Sequence, residues 1–199
     1  MAPAAKLDHI HDDELDIPLV EMASAELETL RKTSNKKRKF QQFPPACMAM
    51  LKNIEGNQRC IDCGAHDPQW ATISYGAMLC LQCSGHHRSL GVQVSCVRSI
   101  SMDEWSLPEV IAMLEGGNGQ LATFFSRHAL SVDACRAGKS KVITKENVTR
   151  LRYKTKAAEF YRQQMELHVC KVVDAGPYRG REISRRLRQP QVDRRNSDV

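Results

Sequence analysis

Two pairs of cysteines constrain this chain more than any other feature. Cys60-x-x-Cys63 is followed, sixteen residues later, by Cys80-x-x-Cys83. Across a two-residue gap the backbone turns back, so both sulfurs of a pair can face one ion about 2.3 Å away; two such pairs at this separation are a strong zinc signature. Gly64 after the first pair and Ser84-Gly85 after the second suit tight turns. Four thiolates saturate a tetrahedral zinc and leave no open position for water or substrate. The metal expected at Cys60, Cys63, Cys80 and Cys83 is therefore one structural Zn2+, not a catalytic one. His66, His86 and His87 lie close enough to compete as ligands, although two matched pairs need no help. The opposing reading is a disulfide framework, or buried thiols without metal; an intracellular chain disfavours disulfides. Cys47, Cys96, Cys135 and Cys170 are read as small apolar packing residues, and His9-x-His11 as a weak pair.

At 199 residues with 42% apolar content, the chain suits one domain with a core rather than two large ones. Its apolar runs fall far short of the ~20 residues a membrane-spanning helix needs, and no charged-then-apolar leader opens it. The expectation is a soluble, cytoplasmic protein. No G-x-x-x-x-G-K-[ST] phosphate loop occurs, so nucleotide hydrolysis by its own machinery is not expected. The net charge of +6 is segregated: residues 1–30 carry eight acids and one lysine, and residues 31–42 six bases and no acid. An acidic arm beside a basic run reads as a solvated segment, with Lys36-Lys37-Arg38-Lys39 able to touch anionic lipid, nucleic acid or an import receptor.

Three segments follow from the patterning. Residues 1–43 read as an acidic, then basic, disordered segment with one short helix from Leu19 to Leu30. Residues 44–167 read as the folded domain, and 168–199 as an arginine-rich disordered tail. Within the domain Cys47, Met50, Leu51 and Ile54 share one helical face, with Gly56 suited to the C-terminal cap. Trp70–Leu79 and Val92–Ile100 read as short strands. Ser106 and Glu109 have capping-box spacing ahead of an apolar run, Asn118 can cap a helix through Phe124 and Phe125, and Thr155 can start another through Ala158, Tyr161 and Met165. Trp105 and the Phe124-Phe125 pair are core candidates. The fold class is α+β: a zinc-stabilised domain with a short antiparallel sheet flanked by several helices.

After the second pair the chain runs Cys83-Ser84-Gly85-His86-His87-Arg88-Ser89-Leu90-Gly91. A short helix capped by Ser84 and ended by Gly91 would place Arg88 on a turn braced by the metal. Taken alone, Arg88 is as well read as a solvated surface charge. The pattern C-x2-C-x16-C-x2-C-x4-R, however, resembles the zinc-finger domain of Arf GTPase-activating proteins. The resemblance extends through Cys63-Gly64-Ala65, Pro68-Gln69-Trp70-Ala71, Ser95 with Val97-Arg98-Ser99, Met102-Asp103 with Trp105, and Gly116-Gly117-Asn118. It continues to Tyr153, Thr155-Lys156-Ala157-Ala158 and Phe160-Tyr161-Arg162. It covers about residues 45–166, and Pro68-Gln69-Trp70 with Tyr75-Gly76 are most similar to the Golgi, coatomer-linked branch.

The resemblance implies GTPase activation on a GTP-bound Arf-family partner, with Arg88 as an arginine finger supplied in trans and the zinc bracing its loop. Trp70 is either packing beside the zinc loop or a partner contact, and Arg98 either structural or part of the partner surface. It also implies a peripheral place at Golgi or other endomembranes, with coat proteins as further partners, and the basic run Lys36–Lys39 could add contact with anionic membrane without sufficing. Thr72 and Ser74 stand where relatives often carry Ser and Asn, mild polar changes. Two other readings use the same residues. A nucleic-acid-binding zinc module fits the basic ends, but the domain's charges are interspersed and no aromatic stripe alternates with them. A catalytically silent GTPase or coat adaptor is the other, and retention of Arg88 disfavours it.

Overall fold

The structure is a computed structural model describing residues 16–32, 39–136 and 144–187. Its sheet is small. Strand β1 (Trp70–Thr72) lies between β2 (Ala77–Leu79) and β3 (Val97–Ser99), antiparallel to both. Trp70 stands opposite Leu79 and Ser99, and Thr72 opposite Ala77 and Val97. The continuous strand expected over Trp70–Leu79 is broken by a 3-10 turn at Ile73–Tyr75, and the later strand shrinks to three residues. Tyr75 forces the break. Its ring is fully buried, 4.9 Å from the ring of Tyr153, and reaching that position takes the backbone out of the pleat. Gly76, at φ 58°, turns the chain back. A Cβ there would lie 2.5 Å from the Ala112 carbonyl oxygen and 2.8 Å from Gly116 Cα, so only glycine fits this crossing.

Helix α2 (Pro45–Asn53) buries Ala46, Cys47 and Leu51. Helix α4 (Leu107–Glu115) opens with the expected Ser106–Glu109 capping box, carries Pro108 in its first turn, and buries every residue from Val110 to Glu115. A helix apolar on all sides belongs at the centre, and α4 is packed by α2 and by α8 (Lys156–Asp174). Between them run α5 (Asn118–Arg127), α6 (Val132–Arg136) and α7 (Lys145–Tyr153). Thr144 and Thr155 cap α7 and α8 through side-chain oxygens that accept from Asn147 and Ala158 N–H groups. The resulting core is one contiguous cluster that includes Trp105, Phe125, Ile111 and Leu114.

The folded body is larger than residues 44–167. Helix α1 (Asp16–Arg31) buries Ala23 and Leu27 against it. The Glu26 carboxylate accepts from the Ala46 and Cys47 N–H groups at 3.0–3.2 Å, capping α2 where Pro44 cannot. Arg31 donates to the Val173 and Gly176 carbonyls beyond residue 167. Helix α8 continues to Asp174 with Val169 and Val172 buried, and Tyr178 is buried ahead of α9 (Arg181–Arg186). The expected terminal segment and tail are thus in part packed structure. Among the cysteines outside the two pairs, Cys47 is buried as expected, whereas Cys170 is exposed. His9, His11, Lys36–Arg38 and residues 188–199 lie outside the described residues. No helix among those described is long and apolar enough to cross a membrane.

Candidate functional site

The two cysteine pairs come together. The first sits on a tight loop in which Gly64 N–H donates to the Cys60 carbonyl at 2.9 Å and Cys60 N–H to the Ala65 carbonyl at 2.8 Å. Ile61 N–H then ties this loop to the Met78 carbonyl of β2. The second pair opens helix α3 (Leu81–Arg88). Cys80 is its N-cap, and the Cys80 sulfur accepts from Cys83 N–H at 3.4 Å. The cap was expected at Ser84, which instead lies inside the helix and donates its hydroxyl to the Leu81 carbonyl; Gly85 is helical as well.

The four sulfurs lie within 4.8 Å of one another. Cys63 and Cys80 Sγ are 3.6 Å apart, far beyond a disulfide's ~2.05 Å and close to the ~3.8 Å edge of a tetrahedron with 2.3 Å metal–sulfur bonds. None of the four is in a disulfide. The hydrogen bond between Cys60 and Cys83 favours the Cys60 thiolate, lowering its pKa, and pushes the Cys83 thiol up. Cys60, Cys63, Cys80 and Cys83 therefore fit one zinc. None of the neighbouring histidines joins them. His66 is exposed, and His87 is fully buried and bonded elsewhere.

Arg88 is the last residue of α3 and is exposed. Its guanidinium carbon lies 4.6 Å from the centre of the Trp70 ring at the start of β1, a cation–π contact, and it pairs with no carboxylate among the described residues. Behind it, His87 Nδ1 meets the Ser95 hydroxyl at 2.7 Å and Nε2 meets Asp62 Oδ2 at 2.8 Å. Ser95 in turn meets the Thr72 hydroxyl at 2.8 Å. Asp62 sits inside the first cysteine pair. Its other oxygen accepts from Arg152 Nη1 at 2.5 Å and from the Tyr153 hydroxyl at 2.9 Å, both on α7. Burial would push this carboxyl up; the His87 bond and charge, then Arg152 and Tyr153, outweigh it and hold Asp62 below its ordinary range.

Arg98, on β3, donates Nε and Nη2 to Glu109 Oε1 at 3.0 and 2.9 Å, which joins the sheet to α4. Asn118 does not cap α5. Gly117 does, and the Asn118 side chain accepts from Met78 N–H and donates to the Arg59 and Met78 carbonyls, strapping the metal loop to β2. Sequence reasoning missed Asp62, Ser95, Arg152 and Tyr153 as a unit. The one local signal was an acid placed between two cysteines.

A family model described as "Putative GTPase activating protein for Arf" matches residues 46–164. ADP-ribosylation factor GTPase-activating protein GCS1 of Saccharomyces cerevisiae is 46% identical over 85 residues, covering 43% of this chain and 24% of that protein. ADP-ribosylation factor GTPase-activating protein 3 of Pongo abelii is 38% identical over 117 residues, covering 58% and 20%. The chain thus spans about a fifth to a quarter of the length of these relatives. A crystal structure of a "putative GTPase activating protein for ADP ribosylation factor" from Cryptosporidium parvum matches at a TM-score of 0.51 and 25% identity, covering 62% of this chain and 88% of that one.

Proposed function

Because the chain belongs to the ArfGap family, matched over residues 46–164, we propose that it accelerates GTP hydrolysis on a GTP-bound Arf-family small GTPase by presenting Arg88 in trans. The observation that carries this reading is the placement of Arg88: an exposed, carboxylate-free guanidinium on a helix held at both ends. Helix α3 begins at two metal-ligating cysteines and ends beside the buried His87. A guanidinium that reaches the phosphoryl oxygens stabilises the charge developing there and contributes 10³–10⁵ in rate. Its planar fork suits two oxygens at once.

Each of the other groups acts through position. Zinc, when bound, supplies a saturated tetrahedral crosslink between the two cysteine loops and no Lewis-acid position. Trp70 holds the Arg88 side chain over its ring until the partner takes it, and its exposed edge belongs to the partner face. Arg98 organises that face from behind by joining β3 to α4. The nucleotide, its magnesium and the attacking water belong to the partner. The setting this implies is cytoplasmic and peripheral at Golgi or other endomembranes, with coat proteins as further partners. The likeness of Pro68-Gln69-Trp70 and Tyr75-Gly76 to the coatomer-linked branch supports that part.

Single-turnover hydrolysis by GTP-loaded Arf tests the reading. The full chain should stimulate it, and Arg88→Ala should lose 10³-fold or more of the stimulation with zinc content and thermal transition unchanged. Stimulation that survives the substitution removes the finger; no stimulation by either protein favours a silent adaptor.

A further inference from the structure

Helix α8 carries an exposed stripe with large apolar side chains. Phe160, Leu167 and Lys171 fall at i, i+7 and i+11, and the two apolar side chains are 55% and 56% exposed. With α5 and α9 this stripe borders an open groove of about 890 Å³. Arg127 of α5, Lys171 of α8, and Arg181 and Arg185 of α9 line it, against Glu55 as its one acidic residue. No lining residue belongs to the cysteine centre or to the surroundings of Arg88.

The cations here outnumber the acid and form no ion pair among the described residues. Arg127, Lys171 and Arg185 are exposed and pair with no carboxylate among the described residues. Arg181 donates only to neutral acceptors, the Gly116 carbonyl at 2.6 Å and Gln120 Oε1 at 3.5 Å. Burial, then the charge of Arg185, lowers its pKa, as expected for crowded like charges. In the groove wall His168 is 3% exposed; its Nε2 meets Glu115, and its Nδ1 has no hydrogen-bond partner.

We propose that this groove docks the headgroups of anionic phospholipids at a membrane surface, with Phe160 and Leu167 entering the interfacial layer beside them. Guanidinium forks suit phosphate oxygens. Large exposed apolar side chains contribute nothing to holding a soluble anion, but they gain from the headgroup–acyl boundary of a bilayer. A groove lined by cations beside exposed apolar side chains has the polarity of that boundary.

The test is co-sedimentation of the full chain with vesicles of about three parts phosphatidylcholine to one of phosphatidylserine at physiological salt, beside vesicles of phosphatidylcholine alone. Near an anionic surface each cation is worth roughly fivefold in partitioning. Arg127→Gln with Lys171→Gln, both exposed and without an ion pair among the described residues, should therefore weaken binding roughly twenty-five-fold. Phe160→Ser with Leu167→Ser should weaken it severalfold while leaving its salt dependence. Native-level binding by either double variant overturns the proposal. So does tight binding of inositol hexakisphosphate with vesicles ignored, which would make the ligand a free phosphate. Vesicle binding that emerges only after removal of the acidic residues 1–15 would overturn it as well, by giving the groove to the chain's own segment. The measurement uses no GTPase, so its outcome is separate from that of the Arg88 reading.

Discussion

Arg88 and His87 are neighbours with opposite environments. One is exposed over Trp70, while the other is sealed between Ser95 and Asp62. Sealing His87 fixes the last turn of α3, so Arg88 leaves the surface from a backbone that cannot drift. Retaining the charge without the fork separates the two properties of that side chain. Arg88→Lys should keep less than about a tenth of the stimulation of Arf·GTP hydrolysis; near-full activity would mean that charge alone matters. Asp62 presents a different case, because it answers Arg152 in a place water does not reach: the two side chains are 6% and 4% exposed. Asp62→Asn leaves the guanidinium without its counter-charge, an outcome that typically costs about 3–5 kcal/mol. Urea unfolding of the zinc-loaded protein checks this, and a loss under 1 kcal/mol would mean that the Leu130 carbonyl and the Phe125 ring suffice for Arg152.

At the scale of elements, what the sequence disclosed was local. The knuckle spacing, the Ser106–Glu109 box and the Thr155 cap each need only three or four neighbouring residues, and each formed where expected. What stayed hidden depends on partners far along the chain. Tyr75 breaks its strand to reach Tyr153, Glu26 caps α2 from α1, and Asn118 abandons its cap for Met78 and Arg59. Glu109 shows local and distant roles in one carboxylate: one oxygen accepts from Ser106 and the other from Arg98 across the sheet. Burial would raise its pKa, but Ser106 and Arg98 outweigh burial and depress it. A depressed folded pKa means stability that is complete above the unfolded carboxylate value and is lost as pH falls through the folded one. Glu109→Gln should therefore be less stable than native by about 2 kcal/mol at pH 7. That gap should narrow as pH falls below the ordinary carboxylate range, followed by urea unfolding across pH. A constant gap would assign the effect to packing.

For the whole molecule, the family match ends at residue 164, yet the chemistry of the core does not. Glu115 lies at the end of the most buried helix with its carboxylate 1% exposed. Its two partners are His168 Nε2 at 2.7 Å and the Tyr178 hydroxyl at 2.9 Å, and both fall beyond residue 167. Residues 44–167 alone would leave this carboxylate in the core with nothing to donate to it. They would also uncover the α2 N-terminus that Glu26 caps and the surface that Leu27 covers. An unpartnered buried charge typically costs 3–5 kcal/mol and a lost cap about 1 more, comparable to the entire stability of a small domain. A chain of residues 16–187 should unfold at the temperature of the full protein. A chain of residues 44–167 should unfold far lower or fail to fold, even when saturated with zinc. Chelation should unfold either one, because the metal crosslinks the two loops in both. If 44–167 instead matches the full chain in thermal unfolding, the bonds to Glu115 add nothing to stability, and α1 and the 168–187 stretch pack onto a body that is already complete.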